Sequence, residues 1–498
     1  MLFERKWLLT VLSLLVLIYL ASIPGRPPDI DDAWIGEHAY WLNEAGYVKS
    51  ELMRGITDQE DYLIISHKLL VLHGAAFIEL FGFSLYSLKS VSLIYFIIFL
   101  FIFYYYAVRI RKILSLKEWL FAMILIFSFP WIFKYSFLFR PEIMIMTFAF
   151  TAFIFIENYL KKGHGSAAYL IPAGLVSGLA VATHLNGVVV TGAGFLLLLL
   201  NRKWSGSIIF GIFSLVTTSI YFFDFNADYS FSWWYYQFSS NPALDSINGI
   251  PAYLQPFVNL FKEHQRFFHN PKIIIFSALF IVTLLVGGKK IWKDYPQFSL
   301  FTLLLFILTA MTAVHKSRQY ILIYFPFLVI MISKVFSWLN SKEIGNFRFG
   351  SQKTISILLY ALVIIFIGGS ACYNFQLTLN KFNPGSNDKI TTKYLEKENL
   401  EGTNIIAPMT FIFNEIEDMG RIQGEVCYTE LKKEDPGIHG SGFLQKANEF
   451  NIDFIYLTPY YRHHLGMDDY KEGERLIDWT VETNDNSGIY LLKNPSNN

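Results

Sequence analysis

Asp29-Ile30-Asp31-Asp32-Ala33-Trp34 stands directly behind the first hydrophobic segment, which ends at Pro24-Gly25. Three carboxylates within four residues at the lip of a membrane carry a cost in desolvation and mutual repulsion, so the cluster is a candidate functional site. A plainer reading stands beside it: Asp32 caps a helix over Ala33 to Ala45, its carboxylate facing the free amides of the first turn. The stretch alone leaves both open, and what surrounds it decides how it is used.

Hydrophobic residues fill 53% of the 498 positions, 48 of them Phe, and charged residues only 16%. That places the chain among polytopic membrane proteins rather than soluble enzymes. A net charge of +1 argues against a nucleic-acid partner. Cys372 and Cys427 are too few for a disulfide framework and lack metal-ligand spacing; two unpaired thiols are expected, with a single bridge left open. Trp7 to Ile23 follows the basic Arg5-Lys6 and resembles a secretory signal, but the cleavage pattern around Ala21-Ser22-Ile23 is poor, so a retained anchor is expected.

Basic clusters mark the cytoplasmic side, and they set the topology. With the amino terminus inside, Arg26 to Ser66 is an outer loop carrying an amphipathic helix that stops at Gly46. Tyr86 to Val108 must then cross inward to place Arg109, Arg111 and Lys112 in the cytoplasm, which leaves His67 to Phe83 as an interfacial helix. The remaining crossings alternate: Leu116 to Leu138, Ile143 to Leu160, Ala168 to Thr183, Gly187 to Leu200, Ser207 to Phe223, Lys272 to Val286, Phe298 to Val314, Gln319 to Lys334 and Ile355 to Cys372. The total is about eleven spanning helices by the length criterion. The expected fold is thus an α-helical polytopic membrane protein: a transmembrane domain over 1–372, with outer loops 24–85 and 224–271, and a small extracytoplasmic α/β domain over 373–498. In the last, Asn404 to Ala407, Asp453 to Thr458 and Gly488 to Leu492 read as strands, and Lys389 to Asn399 and Gly442 to Phe450 as helices. The expected location is the cell (inner) membrane.

With this topology the unusual polar residues gather on the outer side: Asp29, Asp31, Asp32, His67, Lys68, Arg140, Glu142, His184, Asn186, His315, Lys316 and Arg318. Each has an ordinary use, Arg140 and Arg318 snorkelling to headgroups, His184 hydrogen-bonded in the core, Glu142 paired with Arg140. Together they suggest a site facing the outer leaflet for an anionic amphiphile, with Lys68, Arg140 and Arg318 matching a lipid phosphate and the carboxylates offering a base. His67, His184, Lys316 and Tyr320 are candidate substrate contacts. No Gly-rich phosphate loop is visible, which argues against a nucleotide-linked donor.

These residues resemble a family. The acidic pair in Asp31-Asp32-Ala33-Trp34, directly after the first membrane helix, resembles the first outer loop of the GT-C class of polyprenyl-phosphate-sugar glycosyltransferases, especially the protein O-mannosyltransferases and lipid A aminoarabinose transferases of glycosyltransferase family 39. Ser66-His67-Lys68-Leu69-Leu70, followed by Phe81-Gly82, resembles their Glu-Lys-Pro-Pro-Leu segment before a Phe-Gly. Arg140-Pro141-Glu142 resembles their arginine-plus-acid motif, and Ser317-Arg318-Gln319-Tyr320 with Pro326 their late Arg-Tyr motif. The resemblance spans roughly the first three-quarters of the chain and implies Asp31 as catalytic base, Lys68 as a carrier-phosphate ligand and Glu142 as a second acidic site. His67 stands where relatives have a glutamate and Leu69-Leu70 where they have two prolines. No firm cofactor is implied, although Asp29-Ile30-Asp31 also reads as the Asp-x-Asp of oligosaccharyltransferase-like relatives, where a divalent cation binds.

The expected activity is transfer of a sugar from a polyprenyl-phosphate carrier to an acceptor hydroxyl on protein, lipid or glycan at the extracytoplasmic face, by inversion as in the family. A transporter or flippase of an anionic lipid-linked substrate, and a non-catalytic membrane assembly protein, are the alternatives. The absence of related halves weighs against the first of these.

Overall fold

Long runs without charge fold as helices because a helix alone satisfies its own backbone within hydrocarbon. The computed structural model describes residues 4–64, 67–162, 164–240, 253–313, 316–341, 343, 352–379, 402–468, 470–484 and 490–494. Six of its helices are long and apolar enough to cross a membrane: α1 (Arg5–Ser22), α4 (Leu85–Tyr104), α7 (Glu142–Lys162), α10 (Trp204–Thr218), α14 (Pro271–Asp294) and α17 (Gln352–Leu379). Between them lie the shorter apolar helices α5 (Leu116–Ser128), α8 (Leu170–Thr183), α9 (Val188–Leu200), α15 (Pro296–Thr312) and α16 (Phe325–Asn340). Each expected crossing falls on one of these helices, and the chain is a polytopic helical membrane protein.

Burial sorts the bundle into centre and rim. In α7, 78% of the most apolar window is buried inside the protein, against 22% in α1 and in α17, so α7 is the central post and the other two present leucines and isoleucines outward. Leu14, Leu17, Ile364 and Ile365 are among the residues on that rim.

Two crossings depart from expectation, each at a proline. Leu116 to Leu138 is not one helix: α5 stops at Ser128, and Pro130, which has no amide to continue the ladder, opens a separate short helix α6 (Pro130–Tyr135). Gln319 to Lys334 begins as a tight 3₁₀ segment, Arg318–Ile323, and α16 starts beside Pro326 and runs on to Asn340. α17 likewise continues to Leu379, beyond Cys372.

The segment expected as the first outer loop holds α2 (Ile30–Ala45) and α3 (Lys68–Phe81). At 1.5 Å per residue, the 14 residues of α3 extend about 21 Å. Gly46 ends α2 with φ +74°, a conformation that favours glycine. α2 begins three residues before the expected Ala33 because Asp29, not Asp32, is its cap. Further along lie α11 (Phe231–Ser239), α12 (Gln255–Phe261) and α13 (His264–Phe268) of the second outer loop.

The carboxy-terminal region is a mixed sheet of six strands in the order β2-β1-β3-β6-β5-β4. They are β1 (Asn404–Ala407), β2 (Arg421–Gly424), β3 (Phe454–Leu457), β4 (Arg475–Leu476), β5 (Trp479–Asn484) and β6 (Tyr490–Lys493). β1 runs parallel to β2 and β3, and the other pairs are antiparallel. β1, β3, β6 and the helix Ser441–Glu449 fall where expected; β2, β4 and β5 were not foreseen, and Lys389 to Asn399 lies outside the described residues. Cys372 and Cys427 are unpaired thiols.

This region docks on the first outer loop through backbone. Gly424 N donates to Leu52 O (2.9 Å), and Gln423 Nε2 and Cys427 Sγ both donate to Arg54 O. Phe83 stacks on Phe413, and Ala33 and Leu52 share one apolar core with Ile405, Met409 and Tyr456.

Candidate active site at the head of the first outer helix

The three aspartates form a device with three separate uses. Asp29 and Asp32 close a reciprocal capping box at the start of α2: Asp29 receives the first-turn amides, and Asp29 N donates to Asp32 Oδ2 at 2.8 Å. Asp29 also binds Lys134 of α6 at 2.6 Å. Asp32 is fully buried; it accepts from Phe139 N at 2.7 Å and pairs with Lys89 of α4 at 3.2 Å. Expected in the catalytic set, Asp32 is thus placed as a tie between α2, α4 and the chain entering α7, with no exposed oxygen to offer a substrate.

Asp31 has a third of its side chain exposed and Asp29 nearly as much, whereas Asp32 has none. The Asp31 carboxylate meets the Arg140 guanidinium, which also grips Glu142 at 2.8 Å, and Glu142 is 1% exposed. Arg140 therefore sits between two carboxylates, and the trio carries one net negative charge. Burial raises the Asp31 carboxyl above the usual aspartate range, Arg140 opposes this, and Asp29 and Glu142 push it further up by repulsion. At Asp29 burial pulls the same way but Lys134 outweighs it, leaving that carboxyl below its usual range.

Behind this trio lies an aromatic and imidazole cluster. Ring centroids of His67 and His184 are 4.7 Å apart, Trp34 lies 6.3 Å from His67, and Tyr320 6.5 Å from His184. His184 Nδ1 accepts from Asn186 N at 3.0 Å, in a turn held tight by Gly187, where any Cβ would come within 2.0 Å of Ala180 O. Burial drives His67 well below the ordinary imidazole value and His184 down to about 4, so both are neutral at pH 7.

The cations divide into matched and unmatched. Lys68 is fully buried, 2.5 Å from Asp224, and ringed by Tyr221, Phe223 and Phe225; its charge is already balanced within the fold. Burial lowers its pKa to about 8 despite Asp224. Lys316 is held at 3.0 Å by Glu263, which Arg266 shares at 2.6 Å, and Arg266 also donates to Ser317 O. Arg318 is exposed and makes no ion pair among the described residues. Tyr320, under Arg266, joins this basic rim to the acidic trio. Ser66 and His315 lie outside the described residues. Sequence reasoning missed Asp224, Lys89, Lys134 and Glu263 as partners; the signal was there, since lone charges in apolar runs require a partner.

No family model matches the sequence, and no curated protein is significantly similar to it. Solved structures are similar in fold. ArnT from Cupriavidus metallidurans bound to undecaprenyl phosphate superposes with a TM-score of 0.60 at 11% identity, covering 99% of this chain and 98% of the other. The chain has the GT-C fold. The archaeal oligosaccharyltransferase AglB from Archaeoglobus fulgidus, in complex with an inhibitory peptide and a dolichol-phosphate, gives 0.54 at 12% identity over 92% of this chain and 71% of that one. The A. fulgidus oligosaccharyltransferase in complex with Zn and sulfate gives 0.56 at 13% identity, over 89% and 67%.

The last neighbour invites a test of the Asp29–Asp31 pair as a cation site in this GT-C chain. Asp29 is committed to Lys134 and to the α2 cap, and Asp31 to Arg140. Among the described residues no group of three or more His, Cys, Asp or Glu gathers to hold a metal. A divalent ion would have to displace a lysine and an arginine from their carboxylates, so this donor set does not fit one.

Proposed function

We propose that the chain transfers a sugar from a polyprenyl-phosphate carrier to an acceptor hydroxyl at the extracytoplasmic face of the cell membrane. The observation that carries this reading is the Asp31–Arg140–Glu142 trio within a GT-C fold, together with an exposed Arg318 that has no ion pair among the described residues. A lipid phosphate suits Arg318 and the Lys316–Glu263–Arg266 rim, which carries net positive charge. The sugar then lies toward Asp31 and Glu142. Asp31 accepts the acceptor's proton as its oxygen attacks the anomeric carbon, and the carrier phosphate leaves toward Arg318 in a single displacement with inversion. Arg140 holds Asp31 in position and opposes the upward push of burial on its carboxyl. Lys68 contributes as a balanced pair with Asp224, shaping the rear of the site. The carboxy-terminal sheet, docked on the loop between α2 and α3, faces the same side and is available to the acceptor.

Purified protein incubated with decaprenyl-phosphate sugars and a mixture of envelope acceptors should form a glycosylated product. Asp31→Asn should lower the rate by about 10² to 10⁴ while still binding the carrier. Normal turnover in Asp31→Asn would sink the proposed base.

A further inference from the structure

Along α2, Asp31, Trp34 and His38 recur at i, i+3 and i+7, the spacing that puts side chains on one face of a helix. At 1.5 Å per residue, Trp34 lies about 5 Å and His38 about 10 Å along the axis from Asp31. Trp34 packs edge-on to His38 at 5.2 Å and to His67 at 6.3 Å, so the face continues into the His67–His184–Tyr320 cluster.

Polar bookkeeping does not close here. His38 is 2% exposed, yet neither of its ring nitrogens has a hydrogen-bond partner; Trp34 Nε1, also buried, has none. A neutral imidazole offers one donor and one acceptor and an indole one donor, so three hydrogen-bonding atoms stand unmet beside a candidate catalytic acid. Packing alone does not ask for such groups, because an apolar side chain of like volume fills the space without the desolvation penalty. Buried polar groups of this kind are partnered in the working protein by water, an ion or a ligand.

We propose that Trp34 and His38, with His67 and His184, form the compartment that holds a neutral, hydroxyl-rich sugar ring with its anomeric carbon toward Asp31. This rests on the glycosyl-transfer reading and deepens it by naming the sugar subsite. Hydroxyls both donate and accept, as unmet imidazole and indole atoms require, and flat rings cover the apolar faces of a pyranose or furanose. Burial keeps the imidazoles of His38 and His67 uncharged, and the same burial penalises an ammonium brought there. The compartment therefore favours neutral sugars over amino sugars.

The test compares thermal stabilisation of the full-length protein by bare decaprenyl phosphate with that by decaprenyl phosphate carrying mannose, glucose, arabinofuranose or aminoarabinose. In the wild type at least one neutral sugar should add stabilisation beyond the bare carrier, and aminoarabinose should add less. Trp34→Phe keeps the flat ring and loses the donor; His38→Leu loses both nitrogens. Both should lose the added stabilisation and keep that of the bare carrier, while His38→Gln, which donates and accepts, should regain part of it. Without ligand, His38→Leu should melt no lower than the wild type; a markedly lower melting point would mark His38 as a packing residue and overturn the proposal. No added stabilisation by any sugar, or the same addition in wild type and both variants, also overturns it. Because the readout needs no turnover, a protein that shows the added stabilisation but transfers nothing sinks the transfer reading and leaves the sugar site standing.

Discussion

Asp31 and Asp32 are neighbours in sequence and opposites in circumstance. Asp32→Asn leaves Lys89 buried beside a neutral amide, and loss of one partner from a buried ion pair costs about 3 to 5 kcal/mol. Asp31→Asn leaves Arg140 still paired to Glu142 and changes stability little. Chemical denaturation of the two variants should therefore separate them: a large drop in midpoint for Asp32→Asn, near-wild-type behaviour for Asp31→Asn. Equal stability in both variants would mean that the Asp32–Lys89 tie does not hold the helix head. Arg318, exposed and unmatched, answers to a different measurement. Arg318→Ala should raise the donor KM by the equivalent of about 1.5 to 3 kcal/mol, the range for a hydrogen bond to a charged group, with the melting point unchanged. An unaltered KM would make it a cation that only reaches toward the headgroups.

At the scale of elements, α2 is coupled to the carboxy-terminal sheet through one buried acid. Glu37, 1% exposed, accepts from Ser50 Oγ at 2.6 Å, Glu51 N at 2.7 Å, Leu52 N at 3.1 Å and Trp41 Nε1 at 3.2 Å, and Leu52 in turn accepts from Gly424 at the end of β2. Burial holds its carboxyl up at about 7 in spite of those donors, against 4.5 for a free glutamate. The folded state thus keeps the proton between those values. Its contribution to stability is fully present below 4.5 and is lost as pH rises through 7. In Glu37→Gln the side chain is neutral throughout, so the stability of wild type relative to variant should fall between pH 5 and pH 7.5; parallel melting curves would remove Glu37 as the cause. The buried histidines tilt stability the other way but are common to both proteins, and the difference cancels them. None of this hub was legible beforehand. The spanning helices were, because composition alone distinguishes an apolar run from a soluble helix, and Gly46 marked the end of α2. The cap was misplaced because Asp29 and Asp32 are equally good cap residues, and only the tertiary partners Phe139 and Lys89 show that Asp32 is drawn inward. β2, β4 and β5 escaped because strands of two to six residues without strict alternation carry little periodic signal.

Over the whole molecule, ion pairs mark the two ends of the bundle. Arg111 joins the end of α4 to Glu157 of α7 at 3.0 Å, Lys334 of α16 reaches Glu118 at the start of α5 at 3.0 Å, and Lys290 near the end of α14 lies over Trp338 of α16. At the other end Lys134, Arg140, Lys89 and Lys68 meet Asp29, Asp31, Asp32 and Asp224, and the six-stranded sheet packs there. The first end is the more basic, with Arg109, Lys112, Arg202, Lys203 and Lys289 close to it, and by the positive-inside rule we propose that it faces the cytoplasm and the site opens outside. In a Cys372→Ser background, where the buried Cys427 is the remaining thiol, a cysteine at Glu472 of the sheet region should react in intact cells with a membrane-impermeant maleimide. One at Lys289, near the end of α14 at the opposite end of the bundle, should react only after the membrane is opened. Labelling at Lys289 but not Glu472 would invert the molecule. A site opening to the cytoplasm would then face nucleotide-linked sugars rather than a carrier flipped to the far side, and the proposed donor would fall with the topology.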